Sequence, residues 1–377
     1  MAVYTGALGA ALLAFSALAV PVSGAKAHDS TEHSLEAQRA AAMRDAARAF
    51  LATLDDAQRA TVMAALDDNE RRTGWSNLPA VSAPRSGLAV ADMTAPQRRA
   101  LHTMLIAAMS SQGYLKTTTS MWHEDVLRGM WEAAIQAMPA EDPLRARITP
   151  VLPSYDTELF YISIFGDPAA DNWAWGLTGH HYAANFTVAG GRIGFTPMFV
   201  GANPQEVREG RFAGWRLLQH ESDRAFALLG SLGEAQRARA VIAGAVDDEL
   251  FLGKGRQDRL GASVGVRASD LDPVQRQQLM ALIEEYVGNA SDEAATRQRA
   301  AILADGLETL YFAWWGPTGD PAARFMYRIH GPSILVDYVR ERSPDGTNNH
   351  IHAIVRDPSN DYGSEWLGRH YQEAHQN

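Results

Sequence analysis

Two short histidine clusters stand out among the twelve histidines of the chain. The first cluster is the adjacent pair His180 and His181. The second is His350 and His352, which flank one residue inside an apolar run. Alternate residues of a β-strand face the same side of the sheet, so a strand would present His350 and His352 together. Two imidazoles on one face, joined by a third from the other cluster, are a ligand set for a divalent transition metal. The pattern predicts a metal centre formed by His181, His350 and His352.

The remaining histidines leave alternatives open. His180 and His181 would point to opposite faces of a strand, so we expect at most one of them to bind the metal, while the other could orient an outer carboxylate or support the turn. His370 and His330 are further candidate ligands, although a solvated C-terminal helix and a turn before Gly331-Pro332 explain them equally well. The second cluster also fits a half-buried strand whose imidazoles bond to backbone or acidic groups without a metal.

Polar residues near the second cluster predict catalytic partners for the metal. Arg356 could clamp an anionic group of a substrate. Asp361, and Asp337 in an otherwise apolar run, could act as a general base or orient a histidine. Arg356, Asp361 and Asp337 are therefore the candidate catalytic residues.

Composition restricts the chemistry. The chain has no cysteine, which excludes disulfides, thiolate metal sites, iron–sulfur clusters and cysteine nucleophiles. Zinc, copper, iron and manganese all remain possible with histidine, carboxylate or backbone oxygen ligands. The 34 basic and 44 acidic residues give a net charge of −10, so nothing in the overall charge favours nucleic acid or an anionic membrane as a partner. A small molecule is the expected ligand.

Tryptophans offer a wall for such a ligand. Trp173 and Trp175 precede the first cluster, and Trp314 and Trp315 precede the second. They could line a pocket for a sugar, an aromatic or another flat organic molecule, or they could fill an interface between sheet and helices. The sequence contains no zinc-protease motif, phosphate-binding loop or dinucleotide fingerprint.

The amino-terminal segment is typical of an export signal. Residues 7–20 are almost entirely apolar, and Ala25-Lys-Ala27 fits a cleavage site after small residues. The run is shorter than a membrane-spanning helix requires. Residues 1–6 lack Lys and Arg, so use as an uncleaved anchor stays open. We expect residues 1–27 to be a signal peptide, a periplasmic or secreted protein, and no stable membrane association after its removal.

A phrase ending in Gln-Arg recurs four times, at Gln58, Gln97, Gln236 and Gln275. Each time an apolar residue precedes a short turn, and an amphipathic run follows, which is typical of a helix start. The phrases form two pairs, Gln58 with Gln97 and Gln236 with Gln275, and the members of each pair are about 39 residues apart. They predict two helical halves, at 34–140 and 205–310, which arose either by duplication or by convergent capping chemistry.

Aromatic and β-branched runs separate the helical halves, in segments 155–200 and 311–356. Strand runs kept apart from helix runs are typical of an α+β fold. We expect the segments at 159–200 and 311–356 to share one antiparallel sheet, flanked by the two helical halves. Residues 28–377 would then form a single domain, which closes with strands and a C-terminal helix at 311–377.

Several of these motifs resemble a known bacterial family, the one numbered thirty-five hundred in the series of domains of unknown function. The resemblance runs from about residue 36 to 375, and its signatures include Trp173-Ala-Trp175, Gly179-His-His181, Asn349-His-Ile-His352, Arg356-Asp-Pro358, Asp361-Tyr-Gly363 and His370-Tyr371. It implies one unit of family length, often exported, whose signature residues lie in the histidine-rich β segments. The family usually carries Glu at Asp337, so a carboxylate persists there. No activity follows from the resemblance.

Three kinds of function fit the sequence. The first is an exported, histidine-ligated metal-dependent enzyme, hydrolase or oxidoreductase, acting on a small molecule. The second is a non-catalytic periplasmic protein that binds a small ligand in a tryptophan-lined cleft or carries copper. The third is a structural or partner-binding protein in which the polar strand ends satisfy one another. Metal content together with activity separates the first from the second.

Overall fold

Capped amphipathic runs form helices on both sides of the β segments. The structure is a computed structural model that describes residues 25–246 and 261–368. Within these residues the α-helices are α1 (Ala25–Ala52), α2 (Asp56–Val62), α3 (Asn69–Arg72), α4 (Ala95–Ala108), α5 (Ser111–Ala137), α6 (Pro143–Ile148), α7 (Gln219–Ser231), α8 (Glu234–Ala240), α9 (Pro273–Val287) and α10 (Asp292–Ala304). None of the helices described is long and apolar enough to cross a bilayer.

Both β segments contribute to one mostly antiparallel sheet, as predicted. Its strands are β1 (Met63–Ala64), β2 (Leu88–Ala89), β3 (Tyr161–Phe165), β4 (Asn172–Thr178), β5 (Tyr182–Ala189), β6 (Arg192–Gly194), β7 (Met198–Ala202), β8 (Val266–Arg267), β9 (Tyr311–Trp315), β10 (Met326–Gly331), β11 (Ile334–Glu341) and β12 (His350–Arg356). The order across the sheet is β1-β3-β4-β5-β7-β12-β11-β10-β9-β8. The α+β prediction is confirmed. β4, which carries Trp173 and Trp175, was not predicted as a strand.

The four Gln-Arg phrases do begin helices, and their glutamines also join the helices in pairs. Each glutamine side chain accepts a hydrogen bond from the backbone N–H three residues earlier, which completes the helix start. Gln58 donates to Gln97 across 3.3 Å, and Gln236 donates to Gln275 across 2.8 Å. The 39-residue spacing therefore reflects the same contact in both halves of the chain.

The inner strands of the two halves follow the same plan. From either edge the strands come in chain order up to β7 and β12, which pair at the middle, although β1 pairs parallel and β8 antiparallel and β2 and β6 lie off this path. Trp175 stands opposite Phe186 and stacks on it, and Tyr327 stands opposite Tyr338 and stacks on it in the same way. Convergent capping explains only the helix starts, whereas a repeated strand register needs a repeated chain plan. The structure favours the duplication.

The two faces of the sheet differ in character. The main core lies between one face and the helices, where Phe50, Leu101 and Leu279 pack with the buried side chains of alternate strand positions. Trp173, Trp175 and Trp314 belong to this core, so they fill the interface between sheet and helices. The opposite face carries a much smaller apolar cluster. Polar side chains occupy the rest of that face, and the histidine clusters are among them.

Two predictions concern residues outside this description. The structure does not describe residues 1–24, so most of the predicted leader lies beyond it, and so does the candidate ligand His370. The division of the chain into a leader and a single domain stays a prediction.

Candidate metal centre

Four neighbouring strands bring the histidines together at one end of the sheet. Strand register places His350 opposite Glu341, and His352 opposite both Val339 on β11 and Gly201 on β7. The N–H of Gly201 donates to the backbone oxygen of His181, across 2.8 Å, just before β5 begins. Gly201 thus lies between His181 and His352, and its missing side chain leaves room for both imidazoles.

The three predicted ligands converge. One nitrogen from each of His181, His350 and His352 lies within 4.8 Å of the others. The Nε2 atoms of His181 and His350 are 3.2 Å apart. Two imidazole nitrogens bound to one zinc-like ion at about 2.0–2.1 Å in tetrahedral geometry stand about 3.3 Å apart. The observed separation fits shared coordination of one ion.

Two carboxylates fix the orientation of the imidazoles. Nδ1–H of His181 donates to Oε1 of Glu124 across 3.0 Å, and Nδ1–H of His352 donates to Oε1 of Glu341 across 2.9 Å. Both rings therefore keep the lone pair of Nε2 free to bind a metal ion, which is the arrangement that carboxylates impose on metal-binding histidines. The Nε2 atom of His352 is buried and has no hydrogen-bond partner among the described residues. A metal ion would give this atom its partner.

Burial keeps the ligands in the form that metals bind. Burial, with a contribution from His180, lowers the pKa of His181 to about 3, and burial next to His352 and His181 lowers the pKa of His350 well below its ordinary value. Burial alone would raise the pKa of Glu124, but His180 and His181 hold that pKa well below its usual range. Neutral imidazoles beside an ionised carboxylate are ready to bind a cation without first losing protons.

His180 contacts an outer carboxylate, a role that the sequence left open for it, but its position differs from the expected one. The expectation that His180 and His181 point to opposite faces is wrong, because both residues lie in the turn before β5 and not in the strand. Their ring centroids are only 3.6 Å apart, and Nδ1 of His180 lies 3.0 Å from Oε2 of Glu124. Glu124, His180 and His181 form a second group that could hold a metal. His180 therefore stabilises the carboxylate that orients His181.

The three predicted catalytic residues lie in other contacts on the same face. Asp337 is fully buried and accepts two hydrogen bonds from Arg328, at 2.6 and 2.7 Å. Arg356 donates to Asp361 across 2.7 Å. Arg356 is four positions after His352 on β12, which corresponds to about 13 Å along a strand. The structure therefore does not bring Arg356 and Asp361 to the histidines, and the catalytic roles of these three residues stay predictions.

His330, the other described candidate ligand, lies apart from the centre. It stands opposite Leu335, which in turn stands opposite Arg356. His330 therefore lies level with Arg356 across the sheet, and not level with His352. Burial lowers the pKa of His330.

Two residues of the site, Glu124 and Glu341, were not identified from the sequence. Glu341 follows Asp337 on β11 at a spacing of four, so alternation places it on the histidine face once the strand is extended to its observed end. Glu124 lies in the long helix α5, next to a histidine whose ring bonds to the oxygen of Pro204 across 2.7 Å. Nothing in the sequence around Glu124 indicates that this helix passes the turn before β5.

The buried pair at Asp361 predicts a pH dependence of stability. Burial raises the pKa of Asp361 to about 6, although Arg356 opposes the shift. A raised folded-state pKa gives a contribution that is complete below the unfolded value of about 3.9 and is lost as pH rises through about 6. We expect wild-type protein to lose up to about 3 kcal/mol relative to Asp361→Asn between pH 4 and pH 7. Urea unfolding of both proteins across this range measures it, and parallel curves would contradict the assignment.

Gly201 gives a steric test of the centre. A Cβ atom at this position would lie 2.8 Å from Cδ2 of both His181 and His352, closer than atoms can approach. Gly201→Ala is expected to displace the two imidazoles and to lower metal affinity at least tenfold. Gly194→Ala is the matched control, because its Cβ would meet nothing nearer than 3.5 Å. Competition of both variants with a chelator of known affinity measures the effect, and equal affinities would contradict this geometry.

The comparisons with known proteins give a family but no activity. No curated protein and no solved structure matches the chain. The family model described as "Protein of unknown function (DUF3500)" matches residues 36–364, which include His180, His181, His350, His352 and both carboxylates. Since this match covers most of the sequence, the chain belongs to the DUF3500 family, a bacterial family of unknown function.

Proposed function

We propose that this protein is a metal-dependent enzyme whose centre is the set of His181, His350 and His352, and that it acts on a small molecule. The observation that carries the proposal is the convergence of three Nε2 donors, two of them fixed by buried carboxylates. Structural zinc sites use four protein ligands, whereas catalytic sites use three and keep one position open. Three histidines with both nearby carboxylates engaged favour the second type.

The chemistry follows from the donor set. A bound divalent metal would supply a Lewis acid that activates water, or a redox centre if it is copper, iron or manganese. Glu124 and Glu341 hold the imidazoles in one tautomer and keep the positive charge of the ion balanced. His180, held against Glu124, lies beside the ligand His181. Hydrolysis and oxidation both fit these residues.

The exposure of the ligands indicates the side from which a substrate approaches. The side chains of His181 and His352 are 3% and 4% exposed, whereas that of His350 is 15% exposed. A groove of about 710 Å³ is lined by Asp125 and Asn349, the chain neighbours of Glu124 and His350. Its walls combine apolar side chains with charged ones. A small molecule in this groove would lie beside the centre.

Reconstitution tests the enzymatic proposal against the carrier alternative. Protein stripped with a chelator is reloaded with zinc, manganese, iron or copper and assayed with ester, phosphoester, amide and phenolic substrates. Turnover that depends on one metal and is abolished by His350→Ala supports the enzyme. Stoichiometric copper or zinc without turnover on any substrate would instead support the non-catalytic metal-binding protein.

We also infer that the protein works in the periplasm or outside the cell. The support is the apolar segment 7–20 followed by the small residues of Ala25-Lys-Ala27. The mass of the intact protein recovered from the periplasm or medium should be lower than that of the full chain by about 27 residues. A full-length protein confined to the cytoplasm would contradict export.

A further inference from the structure

A second polar cavity lies on the same face of the sheet, beside β3, β4 and β5. Its volume is about 20 Å³. That is room for one or two water-sized atoms, such as the terminal oxygens of an anionic group inserted from the surface. Three arginines dominate its lining, and no acidic residue belongs to it; the lining comprises Arg71, Arg72, Gly74, Trp75, Arg85, Ser86, Tyr161, Ser163, Phe165, Gly176, Thr178 and Asn185.

The three guanidinium groups are held by neutral oxygens. Arg72, only 8% exposed, donates to the backbone oxygens of Leu66 and Tyr362 across 3.1 and 2.7 Å. Arg71 donates to the backbone oxygens of residues 61 and 63. Arg85 donates to backbone oxygens of residues 76, 78, 83 and 179. These contacts fix the positions of the side chains through neutral oxygens, and the charge of Glu124 acts on Arg85 without a direct contact.

Buried arginines elsewhere in the chain have either kind of partner. Arg328 and Arg356 pair with Asp337 and Asp361 across 2.6 and 2.7 Å, whereas Arg340 bonds to the neutral side chain of Gln205. Of the cavity arginines Arg72 is buried, and Arg71 and Arg85 are half-buried. A buried charge is costly unless an opposite charge compensates it, so three cationic groups around a cavity whose lining holds no carboxylate favour an anion from outside the chain.

Two atoms of the cavity arginines also lack a partner. Nε of Arg71 and Nε of Arg85 are buried and make no hydrogen bond to any described residue. Burial lowers the pKa of Arg72 and Arg85, although the charge of Glu124 partly offsets the shift of Arg85. An oxyanion would accept from Nε–H donors and from the hydroxyl groups of the lining at the same time.

We propose that this cavity binds an oxyanion, the carboxylate or phosphate group of a small molecule, through Arg71, Arg72 and Arg85. The cavity is linked to the metal centre on two sides. Arg85 donates to the backbone oxygen of Gly179, just before His180, across 3.2 Å. Trp75 stacks on Phe199 at 5.2 Å between ring centroids, and Phe199 contacts the His352 ring at the same centroid distance. The anion site would therefore hold the charged end of a molecule near the centre, a role that rests on the proposed function, although anion binding itself does not.

Isothermal titration of metal-free protein with acetate and with inorganic phosphate, at ionic strength held constant with chloride, tests the proposal. Removal of metal matters because a bound ion would also attract anions. Saturable binding at one site is expected for at least one of the two anions, and the anion that binds identifies the group. Arg71→Gln should weaken this binding at least tenfold, because it removes both the charge and the Nε–H donor.

The controls separate charge loss from unfolding. Arg99→Gln makes the same change at an exposed position on α4, outside the cavity, and should bind like wild type. If Arg71→Gln does not fold, Arg71→Lys is used instead, which keeps the charge but loses the paired N–H donors of the guanidinium group. At least threefold weaker binding is then expected. Absence of saturable binding by wild type, or unchanged affinity in the folded Arg71 variant, would overturn the anion site. Neither result depends on whether the histidines bind metal.

Discussion

Replacement of both His350 and His352 by alanine is expected to reduce the metal content of the protein from about one ion per chain to background. Two of the three converging imidazoles are lost, and in the remaining group both oxygens of Glu124 are already engaged by His180 and His181. The strand backbone is kept, so we expect the double variant to fold, with lower thermal stability because the carboxylate of Glu341 loses its partners at 2.9 and 3.9 Å. Elemental analysis of untagged protein, with circular dichroism for the fold, measures both.

The matched control for this pair is His330→Ala. His330 lies on the same face of the same sheet, and its Nδ1 is buried without a partner among the described residues. It stands outside the converging group, so its loss should leave the metal content unchanged. Full metal occupancy in the double variant would mean that the ion is bound elsewhere, and the ligand assignment would be wrong.

Replacement of Glu124 by glutamine is expected to lower metal affinity tenfold to a hundredfold. Loss of an outer carboxylate that orients a metal-binding histidine typically has an effect of this size. Glutamine keeps the shape of the side chain but has only one acceptor oxygen, whereas Glu124 accepts from His180 and His181 with one oxygen each. Its amide also lacks the charge that favours a cation nearby.

Glu221→Gln provides the control for this variant. Glu221 is as deeply buried as Glu124, at 2% exposure, but its partner is Lys116 at 2.6 Å. Both variants lose a buried carboxylate, so both should lose stability, but only Glu124→Gln should lose metal affinity. Equal affinities, measured by chelator competition at one pH, would show that Glu124 is merely structural.

Sequence reasoning was successful where the determinants are local. The Gln-Arg phrases predict helix starts because a capping glutamine acts within three residues of its target. The spacing of His350 and His352 predicts a shared face because alternation is a property of any strand. Strand alternation, together with the expectation that the two β segments share one sheet, was enough to name His181, His350 and His352, which the structure brings together.

The parts that sequence reasoning missed depend on distant contacts. Glu124 is 56 residues from His180, and only the path of α5 past the sheet end brings them together. Arg71 and Arg72 of the second cavity end the short helix α3, whereas Arg85 and Trp75 come from the loop after it, which no periodic pattern describes. Proximity in sequence was also misleading for Arg356. A strand rises about 3.3 Å per residue, which places Arg356 about 13 Å from His352 along β12.

Elemental analysis of untagged wild-type protein, purified without chelator and then offered zinc, copper, iron and manganese in turn, tests the central claim most directly. The geometry at His181, His350 and His352 predicts about one tightly held ion per chain for at least one of these metals, retained through gel filtration. The 3.2 Å contact between His181 and His350 then has the ion between its two nitrogens. Protein that retains none of the four above background would contradict the account, and the same contact would be a hydrogen bond donated by one Nε2–H to the other imidazole.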